Sequence, residues 1–235
     1  MAHILIVATS TDEYRKAGYR TGLWLAELTH FWDVADEAGH TMDIASPAGG
    51  VVPIDPESLL VSGVASAVGL DGKMAKRYED RAFMDRLRAA LPLAEVRADA
   101  YDAIYLTGGH GTMFDFVEQP ALARLIAAFW DQGKIVSAVC HGPSGLLDVK
   151  LDDGKPLLAG RKVTGFSWAE EKLARRDEAV PFNLQERLEA LANYDKARIP
   201  FAAHVVEDDR LITGQNPSSA HAVAEAVVKA LANGR

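Results

Sequence analysis

The sequence predicts an α/β fold built on a largely parallel sheet. Short apolar runs of strand length alternate with helical patterns along the chain, as expected for βαβ units. The runs at 3–9 and 134–139 are apolar at nearly every position, which is typical of strands buried on both faces. The 235 residues contain no linker-like stretch and no internal repeat, so we expect one domain over residues 1–235.

The strands are predicted from runs of aliphatic and β-branched residues that end at turn formers. The first begins almost at the start of the chain with Ile-Leu-Ile-Val, the second is closed by Pro47, the third leads into a Gly-Gly-His-Gly loop, and the fourth ends at the single cysteine. In chain order the predicted strands are residues 3–9, 41–45, 101–107, 134–139, 162–166, 203–206 and 211–213.

Helices are predicted where apolar residues recur every three or four positions. In the first helix Leu25, Leu28 and Trp32 have this spacing, and Gly39 can cap its end. In chain order the predicted helices are about residues 22–39, 73–92, 120–132, 168–175, 182–193 and 217–232. Residues 51–70 carry two prolines and little periodicity, so we expect an excursion from the sheet there, and a charged helical insertion around 168–195.

Composition and charge exclude several classes of partner. The formal net charge is −8 and no run of Lys or Arg is present, so neither nucleic acid nor an anionic membrane surface is expected to bind. No secretory signal pattern and no apolar run of about 18 residues is found. A single cysteine cannot form an internal disulfide, which favours a reducing compartment. We therefore expect a cytoplasmic protein.

Cys140 has the sequence surroundings of a nucleophile. It follows the buried strand Ile135-Val136-Ser137-Ala138-Val139 and precedes His141-Gly142-Pro143, with small residues two positions away on either side. Such a sharp strand-to-helix turn is a nucleophile elbow. The helix end after it is expected to lower the thiol pKa, and His141 can act as a base and donate its backbone N–H to an oxyanion. An inert buried thiol is the alternative.

A glycine loop, Gly108-Gly109-His110-Gly111-Thr112, follows the preceding strand of the predicted sheet. Loops at the carboxyl ends of neighbouring parallel strands meet in one crevice, so Gly109 could supply a second oxyanion N–H and His110 could line the substrate pocket. The loop could also be an ordinary turn. It lacks the spacing of a nucleotide-binding loop.

Together the glycine loop and Ala138-Val139-Cys140-His141-Gly142-Pro143 resemble the ThiJ/PfpI superfamily, in particular its glyoxalase III and heat-shock-protein-31-like branch. The resemblance extends over nearly the whole chain through Val163-Thr164-Gly165-Phe166 and Leu211–Pro217. It implies a flavodoxin-like (Rossmann-like) three-layer sandwich, with a mostly parallel central sheet and helices on both faces. It also implies a homodimer.

The resemblance further implies a set of catalytic residues. Cys140 and His141 match the first two members of a Cys-His-acid triad, and the acid falls at Glu171, with Glu170 as the alternative. Glu27 matches a carboxylate that lies against the cysteine and acts as an acid or base. By itself, Glu27 could equally be a solvated acid on an amphipathic helix. Trp168, near the acid, is the tryptophan best placed to form a pocket wall.

The implied activity is a glutathione-independent glyoxalase, in which a small 2-oxoaldehyde such as methylglyoxal becomes D-lactate without metal or other cofactor; this is a lyase of the D-lactate dehydratase type. Deglycase and chaperone roles in carbonyl stress also occur in the branch. Three alternatives remain: a class I glutaminase, a cysteine peptidase, and a non-enzymatic holdase or redox sensor. A glutaminase has a His-x-Glu pair downstream, and the nearest match here, His204-Val205-Val206-Glu207, is one residue too long.

Overall fold

A computed structural model of the protein describes residues 1–60 and 72–234. The strands are β1 (His3–Val7), β2 (Thr41–Ser46), β3 (Leu91–Pro92), β4 (Ala103–Leu106), β5 (Ile135–Val139), β6 (Lys162–Val163), β7 (Asn193–Tyr194), β8 (Val205–Asp208) and β9 (Leu211–Gly214). A seven-stranded sheet has the order β3-β2-β1-β4-β5-β9-β8, and its neighbours are parallel except for β8 and β9. β6 and β7 form a separate parallel pair.

Helices cover both faces of this sheet. They are α1 (Leu25–Glu37), α2 (Gly72–Glu79), α3 (Arg81–Arg86), α4 (Thr112–Asp115), α5 (Pro120–Asp131), α6 (Trp168–Leu173), α7 (Leu184–Leu191) and α8 (Ala220–Ala232). Short 3₁₀ segments lie at Leu93–Glu95, Ala98–Ala100, Gly142–Leu146 and Pro217–Ser219. Among the described helices, none is long and apolar enough to span a bilayer.

Two hydrophobic cores lie on opposite sides of the sheet, because alternate strand residues point to opposite faces. Ile4 and Ile6 of β1 pack with α1 and α8 in one core. Leu5 and Val7 of the same strand pack with α5 in the other. This explains why the strands read as continuous apolar runs, and it confirms the flavodoxin-like sandwich expected from the sequence.

The structure corrects two predicted elements. The helical stretch 73–92 is divided into α2 and α3 at Asp80, whose side chain accepts hydrogen bonds from the backbone N–H groups of Ala82 and Phe83, and it ends in edge strand β3. The strand predicted at 162–166 stops at Val163, because the N–H of Phe166 instead donates to the Cys140 carbonyl. Of the excursion predicted around 51–70, residues 61–70 lie outside the described residues.

The sheet brings the two motif loops together. β4 and β5 are parallel neighbours, so the glycine loop after β4 and Cys140 after β5 emerge at the same edge. The chain from β1 leads to α1 on one face, whereas that from β4 leads to α5 on the other. Crevices at such a reversal of chain direction are the usual ligand sites of open α/β sheets.

Candidate active site

Cys140 occupies a constrained elbow at the end of β5. Its φ of 59° lies in the left-handed region, which non-glycine residues adopt only when the surroundings enforce it. Its N–H donates to the Gly214 carbonyl at 2.9 Å, and its carbonyl accepts from the Phe166 N–H at 2.8 Å. These bonds hold the backbone from both sides and direct the sulfur away from the strand.

A chain of hydrogen bonds joins the thiol to an acid. The Cys140 Sγ lies 3.3 Å from Nδ1 of His141, whose Nε2 lies 2.9 Å from Oε2 of Glu171. Although burial opposes ionisation, the facing His141 and His110 rings hold the pKa of Glu171 well below its ordinary value. The ionised carboxylate can only accept, so His141 Nε2 carries the proton and Nδ1 faces the thiol as an acceptor.

His110 is a second histidine on the same carboxylate. Its Nε2 lies 2.7 Å from Oε1 of Glu171, and its ring centroid lies 4.2 Å from that of His141. Burial lowers the pKa of His141 and the neighbouring His110 lowers it further, while Glu171 acts in the opposite direction. His141 is therefore neutral near pH 7 and able to accept a proton.

Glu27 lies in the first turn of α1 and is completely buried. Its Oε2 accepts a 2.6 Å hydrogen bond from the Gly108 N–H, while Oε1 has no hydrogen-bond partner among the described residues. Burial raises the pKa of Glu27 to about 8, and contacts with Cys140 and Gly108 offset part of that effect. At neutral pH the side chain is mostly protonated and can donate a proton beside the sulfur.

The thiol environment differs from the one expected from the sequence. The helical segment after Cys140 is only the 3₁₀ turn Gly142–Leu146, so a long helix dipole is absent there. Burial raises the pKa of Cys140, Glu27 adds to the effect, and the Gly109 N–H counteracts it in part. These effects favour the protonated thiol in the resting protein, with Nδ1 of His141 3.3 Å away as the nearby acceptor.

Two glycines allow the loop after β4 to approach the thiol. A Cβ on Gly108 would lie 2.6 Å from Glu27 Oε2 and 2.7 Å from the Cys140 Cβ. Gly109 has a φ of +100°, and a Cβ there would meet the Gly22 carbonyl oxygen at 2.1 Å. Only glycine fits at either position. The Gly108 N–H donates to Glu27, and the Gly109 N–H faces the sulfur.

Cys140 lies in a cavity of about 520 Å³. His110, His141 and Gly109 line its polar end, and Trp24, Phe166 and Phe201 form aromatic walls. Trp168, the predicted wall, is not among the lining residues within the described part of the chain. It packs against the core that contains α5, and its backbone N–H donates to the side-chain oxygen of Gln185. The periodic spacing of apolar residues did not identify Trp24 or Phe201 as wall residues, because both lie in loops, where no such periodicity exists.

The adjacent acid Glu170 has a different set of contacts. Its Oε2 accepts from Ser167 N–H at 2.9 Å, which completes a capping box at the start of α6. Its Oε1 accepts from the Phe201 N–H and the Asn216 side-chain amide, at 2.7 and 2.9 Å. The structure therefore places Glu171 beside His141, and Glu170 between three chain segments.

The site also contains atoms suited to a metal ion. Ligand atoms of His110, His141 and Glu171 lie within 4.8 Å of one another. Imidazole nitrogen with carboxylate oxygen is a donor set for zinc or a related cation. Both carboxylate oxygens already form hydrogen bonds with the two rings, so metal binding there would replace the bond that orients His141.

Comparison with known proteins decides the family. The model of the DJ-1/PfpI family matches residues 21–230. The chain belongs to the DJ-1/PfpI family. It is 30% identical to the glutathione-independent glyoxalase HSP31 of Saccharomyces cerevisiae and to glyoxalase 3 of Candida albicans, with 98% of both chains covered in each case.

Solved structures of this family agree with the fold. The crystal structure of glyoxalase III from Candida albicans matches with a TM-score of 0.86 and 28% identity, over 97% of each chain. The rapid encystment protein of Francisella tularensis matches with a TM-score of 0.90 and 34% identity, over 98% of this chain and 99% of that one. The resemblance to the glyoxalase III branch is thereby confirmed.

The histidine and glutamate that the glutaminase alternative requires, His204 and Glu207, do not lie beside Cys140 in the structure. His204 lies beside Asp195 and is not among the described residues that line the cavity. Glu207 lies on β8 at the edge of the sheet. The partners of the thiol are instead His141 and, through it, Glu171.

Proposed function

We propose that the protein is a cysteine-dependent, glutathione-independent glyoxalase that converts methylglyoxal and water to D-lactate. The observation that carries the proposal is the Cys140–His141–Glu171 hydrogen-bond chain with the protonated Glu27 against the same sulfur. The full-length similarity to curated glutathione-independent glyoxalases supports it. Catalytic roles follow for Cys140, His141, Glu171 and Glu27, and an oxyanion-binding role for Gly109.

In the first step the thiol adds to the substrate aldehyde. His141 Nδ1, 3.3 Å from the sulfur, accepts the thiol proton as the S–C bond forms. Glu171 stabilises the resulting imidazolium through its 2.9 Å bond to Nε2. The imidazolium then passes its proton to the aldehyde oxygen, so the products are a neutral hemithioacetal and a neutral His141. The Gly109 and His141 backbone N–H groups stabilise negative charge on that oxygen before it is protonated.

In the second step a proton moves between the two substrate carbons. A base removes the proton from the carbon bonded to sulfur while the ketone oxygen is protonated, which gives an enediol. Protonation of the adjacent carbon, with loss of the proton from the hydroxyl on the carbon bonded to sulfur, then gives a thioester. His141 and Glu27 both lie beside the sulfur, so one can remove the proton and the other can deliver it. Water then hydrolyses the thioester to lactate and the free thiol. The overall reaction consumes water and needs no external oxidant or reductant.

The test is formation of D-lactate from methylglyoxal without glutathione, with purified wild-type protein, Cys140→Ala and Glu27→Gln. We expect lactate from the wild type, none from Cys140→Ala, and a loss of about 10²-fold or more with Glu27→Gln, the usual scale for general acid–base groups. Equal lactate from all three would overturn the proposal. Ammonia release from glutamine with no lactate would favour the amidotransferase alternative instead.

Two further expectations accompany this proposal. The substrate is a small carbonyl compound, and neither nucleic acid nor a membrane surface is expected to bind, given the net charge of −8. A homodimer and a cytoplasmic location remain predictions. Sedimentation of the purified protein tests the dimer directly.

A further inference from the structure

The cavity above Cys140 is larger than methylglyoxal requires. Its volume is about 520 Å³, within the range of roughly 300–1,000 Å³ that accommodates drug-sized ligands. Methylglyoxal is the smallest ketoaldehyde and fills only a small part of such a space. The lining includes both the buried Cys140 and the partly exposed Phe201, so a substituent of the substrate can extend from the thiol toward the surface.

An aromatic wall extends from the triad toward the surface. The Phe166 ring centroid lies 4.4 Å from that of His141 at an interplanar angle of 36°, and the Phe201 centroid lies 6.1 Å beyond it. Phe201 is 43% exposed, so the wall continues to the mouth of the cavity. Trp24 and Pro217 also line this space. Aromatic rings stack well at such distances, and apolar surface favours an uncharged occupant.

Among the described residues, no Lys or Arg borders the cavity, and the basic side chains that do are the histidines His30, His110 and His141. Its acid, Glu57, forms an ion pair with Arg176, and the buried Glu27 is mostly protonated at neutral pH. A phosphate or carboxylate group on the substrate would lose hydration here without gaining a lysine or arginine partner, and an unpaired buried charge is costly.

We propose that the preferred substrates are uncharged 2-oxoaldehydes with an aromatic or other bulky apolar substituent. The inference rests on the proposed glyoxalase function. In this arrangement the aldehyde carbon meets the Cys140 sulfur, and the substituent lies along Phe166 and Phe201 toward the mouth. The chemistry is unchanged: phenylglyoxal and water give mandelate, as methylglyoxal and water give lactate. Anionic aryl glyoxals and adducts with carboxylate-bearing thiols bind poorly.

The experiment compares initial rates for methylglyoxal, phenylglyoxal and 4-carboxyphenylglyoxal. We expect kcat/KM for phenylglyoxal to exceed that for methylglyoxal by about tenfold or more, mainly through KM, since apolar pockets discriminate apolar bulk on this scale. The carboxylate should remove most of that advantage. Phe201→Ala should reduce the phenyl-to-methyl ratio severalfold. Tyr78→Ala, an exposed aromatic on α2 outside the cavity lining, should leave the ratio unchanged.

The outcomes separate this inference from the function on which it depends. If neither ketoaldehyde is converted, the proposed glyoxalase function fails. If methylglyoxal is converted as efficiently as phenylglyoxal, or if the carboxylate has no effect, the function stands and the proposed preference is wrong. A phenyl-to-methyl ratio that falls equally in Phe201→Ala and Tyr78→Ala would also contradict the aromatic wall.

Discussion

Replacing Glu27 by glutamine should stabilise the protein while it removes activity. Burial raises the pKa of Glu27 to about 8 from an ordinary 4.5, so between these pH values the folded protein holds a proton that the unfolded chain has released. The free energy of unfolding of the wild type therefore falls as pH rises through this window. Glutamine has the shape of the protonated acid: its carbonyl can accept from Gly108, its amide faces the sulfur, and it does not titrate.

The magnitude follows from the width of the window. Each pH unit between the two pKa values lowers the free energy of unfolding by about 1.4 kcal/mol. Because pH 7 lies about 2.5 units above the ordinary pKa of 4.5, the wild type loses roughly 3 kcal/mol of stability at pH 7. The loss grows to about 4 kcal/mol at pH 8, near the folded-state pKa, where half of the folded molecules have already released the proton. Glu27→Gln should be more stable by up to these amounts, with little difference near pH 4.5.

Urea unfolding at pH 5, 6, 7 and 8, followed by tryptophan fluorescence, measures this difference directly. Taking the difference between the two proteins at each pH removes contributions that both share, such as that of the buried His141. The matched control is Glu95→Gln, an exposed carboxylate in a surface turn, whose effect should not grow with pH. If Glu27→Gln is no more stable than the wild type, or if the gap is the same at pH 5 and pH 8, the reasoning is refuted.

Three further changes test the site. Gly108→Ala should lower kcat/KM by 10²-fold or more, because the added Cβ would lie 2.7 Å from the Cys140 Cβ; near-wild-type rates would show that the loop moves easily. His110→Phe removes a neighbour that lowers the pKa of His141, so the acidic limb of the pH–rate profile should move to higher pH; an unchanged limb contradicts this role. Glu170→Ala should destabilise the fold by about 2–4 kcal/mol in urea unfolding, because buried donors lose their acceptor; a lost rate with unchanged stability would instead indicate a catalytic acid.

The order of strands and helices could be predicted because a strand buried on both faces consists almost entirely of apolar residues. β1 and β5 are apolar at every position except His3 and Ser137, since each strand contacts both cores. The division of the predicted helix 73–92 could have been recognised at Asp80, because aspartate is a preferred helix N-cap residue. Its side chain accepts from the N–H groups of Ala82 and Phe83 at the start of α3. The two-residue strands β3 and β7 are too short to produce a periodic signal.

The predicted positions of Cys140, His141 and Glu171 follow from motifs, whereas the cavity walls depend on long-range contacts. Trp168 is close to Glu171 in sequence, but its place at the start of α6 directs it to the opposite core. Phe201 reaches the cavity because Glu170 binds its N–H across 31 positions of the chain. No local pattern reports such a contact. Nor does sequence spacing report desolvation, which is the principal cause of the raised pKa values of Cys140 and Glu27.

The neighbouring acids of α6 have a mechanical consequence. Glu171 orients the His141 imidazole, while Glu170, one residue earlier on the same turn, binds the backbone N–H of Phe201 at the cavity mouth. The residue at the cavity mouth and the histidine beside the thiol are therefore both held by one turn of helix, through two side chains that are adjacent in sequence.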